Sequence, residues 1–426
     1  MCSRCVARQL IGVVAHVQSA DPVFDVAVVG GGLVGAVAAL AAAYPGRQVV
    51  LIEQSSPAPG AALDSVLGLD LRTVALAPAA QVLLERLGVW SRLVATPYGG
   101  MRVCDARGTA VLAFDAASAQ APCLGYMLEN GPTLHALWSV LEAHPGITLV
   151  RGAPLDAVSV ASARVELTAG AHTVQARLVL AADGAQSRVR SALAEPARIE
   201  ETGHHALATV VRTRLPHAGI AWQVFQPEGP VALLPTRLAD CVSVVWSQPP
   251  ALAAHHLALS ETDFCAALTR ASGGRLGEVL VADRRLVFPL RQMLAANLNP
   301  HPRVALIGDA AHVLHPLAGL GANLGFEDVQ AVLDLLLRLP ADADPGASGL
   351  WTDGARRRHA RAASLVALMS GLKRLFANAG PLSQWLRNTG IRGIEALPSL
   401  KQALMREAMG IGPLAAQARG GALIRN

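Results

Sequence analysis

Three short stretches of this chain pair glycine turns with a carboxylate in the way a nucleotide requires. In FDVAVVGGGLVGAVAAL, Gly30, Gly32 and Gly35 are spaced G-x-G-x-x-G after a strand-like run and at the opening of a helix-like one. The first glycine permits a tight turn, the second lets a pyrophosphate approach the backbone, and the third lets helix and strand lie close. Glu53 ends the next strand-like run, eighteen residues beyond Gly35. A carboxylate there accepts hydrogen bonds from both ribose hydroxyls of an adenosine and disfavours a 2′-phosphate, so FAD or NAD is expected rather than NADP. The second stretch, LVLAADGAQSRVR (178–190), is a strand ending in Asp183-Gly184. Asp183 and Ser187 could simply cap a helix, but beside the other two stretches Asp183 and Gly184 are read as cofactor contacts. The third, GDAAHVLHPLAGLGANLGFED (308–328), follows the strand-like RVALI, with a helix-like segment opening near Asn323. An acid such as Asp309 at a strand end suits a ribityl hydroxyl. The free N–H groups and positive dipole of a helix start suit an anionic ring edge. The three stretches together point to a flavin enzyme.

Other residue patterns carry less chemistry. His312 and His315 have no Cys or acidic ligand at a familiar metal spacing, so no metal site is expected. Cys2-x-x-Cys5 lacks a second pair and reads as reduced thiols on an N-terminal tail. Arg356-Arg357-Arg358 with Arg361 reads as a solvated helix face. The net charge of +5 comes without a basic run interleaved with aromatics, which argues against nucleic acid.

The elements that must position these residues follow from length and pattern. The 426 residues suffice for a large core, and 52% apolar against 4% aromatic content makes that core mostly Ala, Leu and Val. Such a core suits Ala-rich helices on a buried parallel sheet. Residues 26–46 carry no charge, but their glycines and strand-then-helix rhythm assign them to a buried β-α unit rather than a membrane span. Residues 9–15 are too short an apolar run for a signal peptide, so the expected location is the cytoplasm. Strands are expected at 24–29 and 48–53, with helices at 33–43, 78–88, 132–143 and 323–338. A strand-rich stretch over 204–290 and an amphipathic helical region over 350–410 follow. The expected fold class is α/β: a discontinuous Rossmann-like FAD-binding domain, an inserted β-sheet substrate domain and a C-terminal helical region. The boundaries are an N-terminal extension (1–22), FAD-binding segments at 23–100, 124–200 and 291–345, interface strands at 101–123, the substrate sheet at 201–290 and the helical region at 346–426.

From about residue 24 to about 410 the chain resembles the FAD-dependent aromatic hydroxylases of the p-hydroxybenzoate hydroxylase fold, and within them the ubiquinone-biosynthesis hydroxylases. Besides the three motifs, the resemblance is carried by DLRTVAL (70–76), LGVW (87–90), FDAA (114–117), LGYMLEN (124–130), ALW (136–138), EAHPGITL (142–149), WQVFQPEGPVALLP (222–235), HPLAGLGANLG (315–325) and LRNTGI (386–391). The middle stretches look closest to the branch that hydroxylates the demethoxyubiquinol ring at carbon 6. The resemblance implies that Gly30, Gly32, Gly35 and Glu53 hold the ADP half of FAD, and that Arg72 approaches the phosphate or ribityl region. It implies that Asp183 and Gly184 contact FAD, that Gly308 and Asp309 hold the ribityl chain, and that Pro316, Gly319, Gly321, Ala322 and Asn323 line the isoalloxazine ring. The chain departs from the family where G-Q-G is usual and Gly319-Leu320-Gly321 stands instead, and at Leu134 before His135.

The implied reaction is hydroxylation of a polyprenylated phenol or quinol through a flavin C4a-hydroperoxide, with O2 as co-substrate. No separate NAD(P)H-binding domain is visible, so the reductant is NAD(P)H or a ferredoxin-type donor. His315 and the Pro316 carbonyl are the candidate catalytic groups, as acceptors for the phenol proton. The C-terminal region is apolar on one face and basic on the other, which suits an internal docking helix or peripheral contact with the inner face of a membrane. Other ubiquinone-biosynthesis proteins and a second copy of the chain are compatible partners. Three alternatives share the pattern: a hydroxylase of a small soluble phenol or polyketide, a halogenase or reductase on the same scaffold, and a non-catalytic binder of quinone intermediates. The absence of W-x-W-x-I-P counts against a halogenase.

Overall fold

The uncharged run predicted as a buried β-α unit is one, and its burial explains its composition. In the computed structural model, which describes residues 23–55, 65–106, 111–314, 320–377 and 397–412, it forms strand β1 (Val23–Val29) and helix α1 (Leu33–Ala43). Val26 and Val28 face the core that contains α1, whereas Ala27 and Val29 face a second core on the other side of the sheet. A strand covered on both faces reads as continuous apolar sequence rather than as an alternating one.

Among the described residues, β1 lies in a 7-stranded sheet with β2 (Val49–Glu53), β8 (Ile147–Arg151), β9 (Leu155–Val160), β10 (Val165–Ala169), β11 (His172–Ala181) and β18 (Val304–Leu306). Strands β8, β2, β1, β11 and β18 are neighbours in that order and all parallel. A 9-stranded sheet holds β5 (Gly100–Asp105), β6 (Val111–Asp115), β12 (Ala197–Thr213), β13 (Ile220–Gln226), β14 (Gly229–Pro235), β15 (Cys241–Gln248), β16 (Val279–Ala282), β17 (Leu286–Ala295) and β19 (His312–Val313). The strands expected at a domain interface over 101–123 are therefore part of this sheet, joined through the parallel β5–β13 pair. A 3-stranded sheet, β3 (Thr73–Leu76), β7 (Gly125–Glu129) and β4 (Ala95–Tyr98), leans on it, with Thr73 Oγ1 hydrogen-bonded to Ser243 Oγ at 2.9 Å.

The second sheet alternates cleanly. Val224, Val231, Leu233, Val242, Val244 and Trp246 pack against α6 (Glu261–Ala271) through Phe264 and Leu268. The opposite face turns toward the first sheet. The chain crosses between the two sheets in ten residues, from β18 through Gly308–Ala310 to β19.

Three further helices cover the first sheet: α2 (Pro78–Arg86), α3 (Asn130–Ala143) and α7 (Leu320–Arg338). Helix α7 begins at Leu320, three residues earlier than the pattern suggested, so Gly321 to Asn323 lie in its first turn. The region over 350–410 holds α8 (Thr352–Ala377) and a helix over Pro398–Ala408. The N-terminal extension with Cys2 and Cys5, the LRNTGI stretch, and His315, Pro316 and Gly319 lie outside the described residues.

One expectation is overturned here. The Arg356–Arg361 run is not a solvated face throughout: Arg358 is 3% exposed, and Arg361 is 9% exposed at its side chain. Residues three apart share a helix face, and this face meets α7, where Glu327 and Asp328 supply partners. Arg358 donates to Glu327 at 2.6 Å and to Asp328 at 2.7 Å. Arg356 stays exposed.

Candidate active site

The parallel order β2-β1-β11-β18 puts all three motifs at the carboxyl ends of neighbouring strands. Along one sheet edge lie Glu53, then the Gly30–Gly32 turn, then Asp183-Gly184, then Gly308-Asp309. Three strand spacings, roughly 14 Å, separate the two outermost acids. Ligands of open parallel sheets bind at this edge.

The first turn is built by sterics. Gly30 has φ +97°, and a Cβ there would lie 2.5 Å from the Ala182 carbonyl oxygen. A Cβ on Gly35 would collide with the Gly30 carbonyl, so helix and turn touch directly. At Gly32 a Cβ would meet nothing within 4 Å. The start of α1 thus faces open space with its first N–H groups unsatisfied, which is an anion cradle. Glu53 Oε2 accepts from the Gly31 N–H, and Oε1 accepts from Ser55 at 2.9 Å and 2.7 Å. Trp138 Nε1 donates to the Gly31 carbonyl at 2.9 Å and backs the turn.

The second motif does what its capping reading described. Asp183 Oδ2 accepts from Arg188 N at 2.7 Å and Val189 N at 3.1 Å, at the start of α4 (Arg188–Ala192). Its Oδ1 is buried and makes no hydrogen bond among the described residues. Gly184 follows with φ +83°. Arg190 donates to the Ala185 and Ala310 carbonyls, both at 2.7 Å, and so latches this turn to the third motif.

In the third motif, Asp309 opens onto the cleft but is flanked by protein. The loss of water raises its carboxyl above the usual range, and His312 opposes this. Asn323 fixes the start of α7: its Oδ1 accepts from Ala77 N at 2.7 Å and its Nδ2 donates to the Ala75 carbonyl at 2.8 Å. Behind it, Asp328 accepts from Gly308 N at 2.9 Å and shares a 2.7 Å hydrogen bond with His312 Nε2. Burial alone would raise the Asp328 carboxyl, but His312, Arg358 and the Gly308 N–H together hold it down at about 2. Arg72 stands at the head of β3 with an exposed side chain.

A cavity of about 310 Å³ separates Asp309, Gly321 and Ala322 from the inner face of the second sheet. That face contributes Met101, Ala221, Gln223, Ala232, Leu234 and Val245. Tyr98 also lines the cavity; burial, with Cys123 adding, pushes its phenol up to about 12, so it stays protonated. The motif reading missed Tyr98, Gln223, Trp138 and the Asp328–Arg358 pair. Gln223 had a signal: it is the polar member of the alternating Ala221, Gln223, Phe225 set in WQVFQPEGPVALLP.

This chemistry fits FAD. Gly32 leaves the space a pyrophosphate needs, Glu53 offers a carboxylate at the adenosine end, and Asp309 with the α7 start offers an acid and N–H donors at the flavin end.

Comparison with known proteins agrees. A family described as FAD binding domain matches residues 23–367. The chain is 36% identical over 402 residues to ubiquinone hydroxylase UbiL of Rhodospirillum rubrum, covering 93% of this chain and 92% of that protein. It is 35% identical to the 3-demethoxyubiquinol 3-hydroxylase of Escherichia coli (91% and 98% covered) and 30% identical to the human mitochondrial ubiquinone biosynthesis monooxygenase COQ6 (91% and 92%). Among solved structures, the p-nitrophenol 4-monooxygenase PnpA of Pseudomonas putida superposes with a TM-score of 0.72 at 21% identity, covering 92% of this chain and 99% of that one. HpxO of Klebsiella pneumoniae, solved with FAD and uric acid, gives 0.69 at 16%, covering 91% and 97%. These structures share the fold.

The chain is therefore an FAD-dependent aromatic-ring monooxygenase. It belongs to the FAD-binding family that includes the ubiquinone-biosynthesis hydroxylases.

Proposed function

We propose that this enzyme hydroxylates the ring of a polyprenylated phenol or quinol on the route to ubiquinone, at the position served by the demethoxyubiquinol branch. The observation that carries the reading is the largely apolar cavity between the Asp309–Ala322 edge and the second sheet, in a chain 36% and 35% identical to two bacterial enzymes named for this chemistry.

Bound FAD would take electrons from NAD(P)H or a ferredoxin-type donor and activate O2 toward an electron-rich ring carbon. The chain's own residues do the rest. Gly30, Gly32, Gly35 and Glu53 hold the ADP half, with Arg72, Asp183 and Gly184 nearby. Gly308 and Asp309 take the ribityl hydroxyls. The N–H groups at the start of α7, at Gly321, Ala322 and Asn323, stabilise negative charge on the ring edge without reorganising, and the resemblance adds Gly319, which lies outside the described residues. The family resemblance assigns the hydrogen bond from the phenol to His315 or the Pro316 carbonyl, both outside the described residues. The apolar sheet face excludes water.

A lipid-soluble substrate places the enzyme at the cytoplasmic face of a membrane, beside other proteins of the pathway. No helix among the described residues is long and apolar enough to cross a membrane.

The test is an absorbance spectrum of purified protein, followed by quinone profiling in a strain lacking the gene. Flavin bands and an accumulating demethoxyquinone are expected. Accumulation of an earlier prenylphenol would move the ring position. Protein that cannot take up FAD, or an unchanged quinone pool, overturns the reading, and turnover of unprenylated phenols alone would favour a soluble substrate.

A further inference from the structure

We propose that Gln223 reads an oxygen substituent on the substrate ring, and that it does so for a neutral ring rather than a carboxylated one. The proposal rests on the ring-hydroxylase reading above and adds a specificity-determining residue to it.

Gln223 lies in the interior of the second sheet, not on its rim. It pairs with Val103 of β5 on one side and Ala232 of β14 on the other, and Ala232 pairs in turn with Val245. Strand alternation sends Trp222 and Val224 toward the α6 core. Ala221 and Gln223 therefore point the other way, into the cavity. Around Gln223 this face is apolar: Met101, Ala221, Ala232, Leu234 and Val245.

Gln223 is only 6% exposed, and its amide makes no hydrogen bond among the described residues. Neighbouring polar groups of the same sheet find partners within the protein: Ser243 pairs with Thr73, Ser247 with His204, the Gln248 Oε1 with His256, and Thr209 donates to the Asp283 carbonyl, while the Gln248 Nε2 has no partner among the described residues and does not line the cavity. Buried polar side chains are normally paired, and one that is not, at the wall of a cavity, calls for a partner from the ligand. An amide offers both a donor and an acceptor, so it can bond a phenol, quinol or methoxy oxygen.

The charge of the cavity narrows the ligand further. Its described lining holds no Lys or Arg, and its one ionisable carboxyl is Asp309. A substrate carboxylate would be desolvated there without a counter-charge. A neutral amide is a sufficient handle for a neutral ring.

The holoenzyme, Gln223→Leu and Gln223→Met are titrated with ortho-prenylphenol, prenylbenzene and prenylated 4-hydroxybenzoate, following the flavin absorbance. The wild type should bind prenylphenol about ten-fold tighter than prenylbenzene, and prenylated hydroxybenzoate more weakly than prenylphenol. In both variants the prenylphenol preference should fall to about two-fold or less, through weaker prenylphenol binding with prenylbenzene unchanged. Equal flavin-to-protein ratios separate this from misfolding, and the Met variant keeps the side-chain length if Leu does not fold. A preference that survives in Gln223→Met, or equal wild-type binding of phenol and hydrocarbon, overturns the assignment. So does tighter binding of the benzoate. Failure of the hydroxylase reading shows separately, as a wild-type holoenzyme that binds prenylphenol and forms no hydroxylated product.

Discussion

Gly30 and Gly32 stand two residues apart in one turn and answer to different constraints. Gly30 is held at φ +97° against the Ala182 carbonyl, so its demand comes from the protein. Gly32 has ordinary dihedrals and empty space where a Cβ would point, so its demand comes from what occupies that space. Gly30→Ala should therefore destabilise the apoprotein, by about 1–3 kcal/mol in a thermal melt. Gly32→Val should leave the apoprotein melt near wild type and abolish FAD retention, read as the flavin-to-protein ratio. A Gly32→Val protein that purifies yellow would remove the pyrophosphate from this turn. Glu53→Ala should weaken FAD binding by about ten- to a hundred-fold, the worth of one or two charge-assisted hydrogen bonds, when apoprotein is titrated with FAD. The geometry of this turn was legible in the sequence because turn sterics are local: three glycines and an acid at fixed spacing specify most of it. The place of Gln223 at the cavity wall was not legible, because it depends on which face of β13 the cavity lies.

Helices and strands were legible where one period dominated. Helix α1 runs over Leu33–Ala43, as its apolar rhythm required, and α2 starts at Pro78. The arginine run of α8 misled for a physical reason. Helical periodicity groups Arg358 with Arg361 but does not say that their face meets two carboxylates on α7. That contact makes α8 a brace for the third motif: Arg358 holds Asp328, and Asp328 holds both His312 and the Gly308 N–H. Asp328→Asn should thus destabilise the protein by about 3–5 kcal/mol, the usual cost of leaving a buried charge unmatched, as measured by denaturant melts. The pH dependence has a definite sign. A carboxyl held at about 2 binds fewer protons folded than unfolded, where its value is 3.8. Its stabilisation is complete above the unfolded value and is lost as pH falls toward 2. The wild type should lose stability across that acid window more steeply than Asp328→Asn, and equal slopes would deny Asp328 this role.

At the scale of the molecule, two sheets divide the work, and the short crossing from β18 to β19 carries the third motif between them. The first sheet gathers Glu53, Gly32, Asp183 and Asp309 along one edge, and the second closes an apolar wall over the last of them. Which strands neighbour which was beyond the sequence patterns, and so was the inclusion of β5 and β6 in the second sheet, because such pairings are long-range. Cofactor binding and substrate binding should then be separable by mutation. Ala232 faces the cavity from the middle of β14, on a different sheet from the cofactor-edge strands. Tryptophan at that position would occupy much of a space of about 310 Å³. Ala232→Trp should keep a wild-type flavin-to-protein ratio and melt within about 1–3 kcal/mol of the parent, the range for overpacking a wall that adjoins open space. Its yield of hydroxylated product should fall at least about a hundred-fold (about 2.7 kcal/mol), while reductant is still consumed and O2 leaves as hydrogen peroxide. Gly32→Val should show the converse, with no flavin and no reductant consumption. If Ala232→Trp lost its flavin as well, the second sheet would be supporting the cofactor edge, and the substrate would have to be sought elsewhere than between the two sheets.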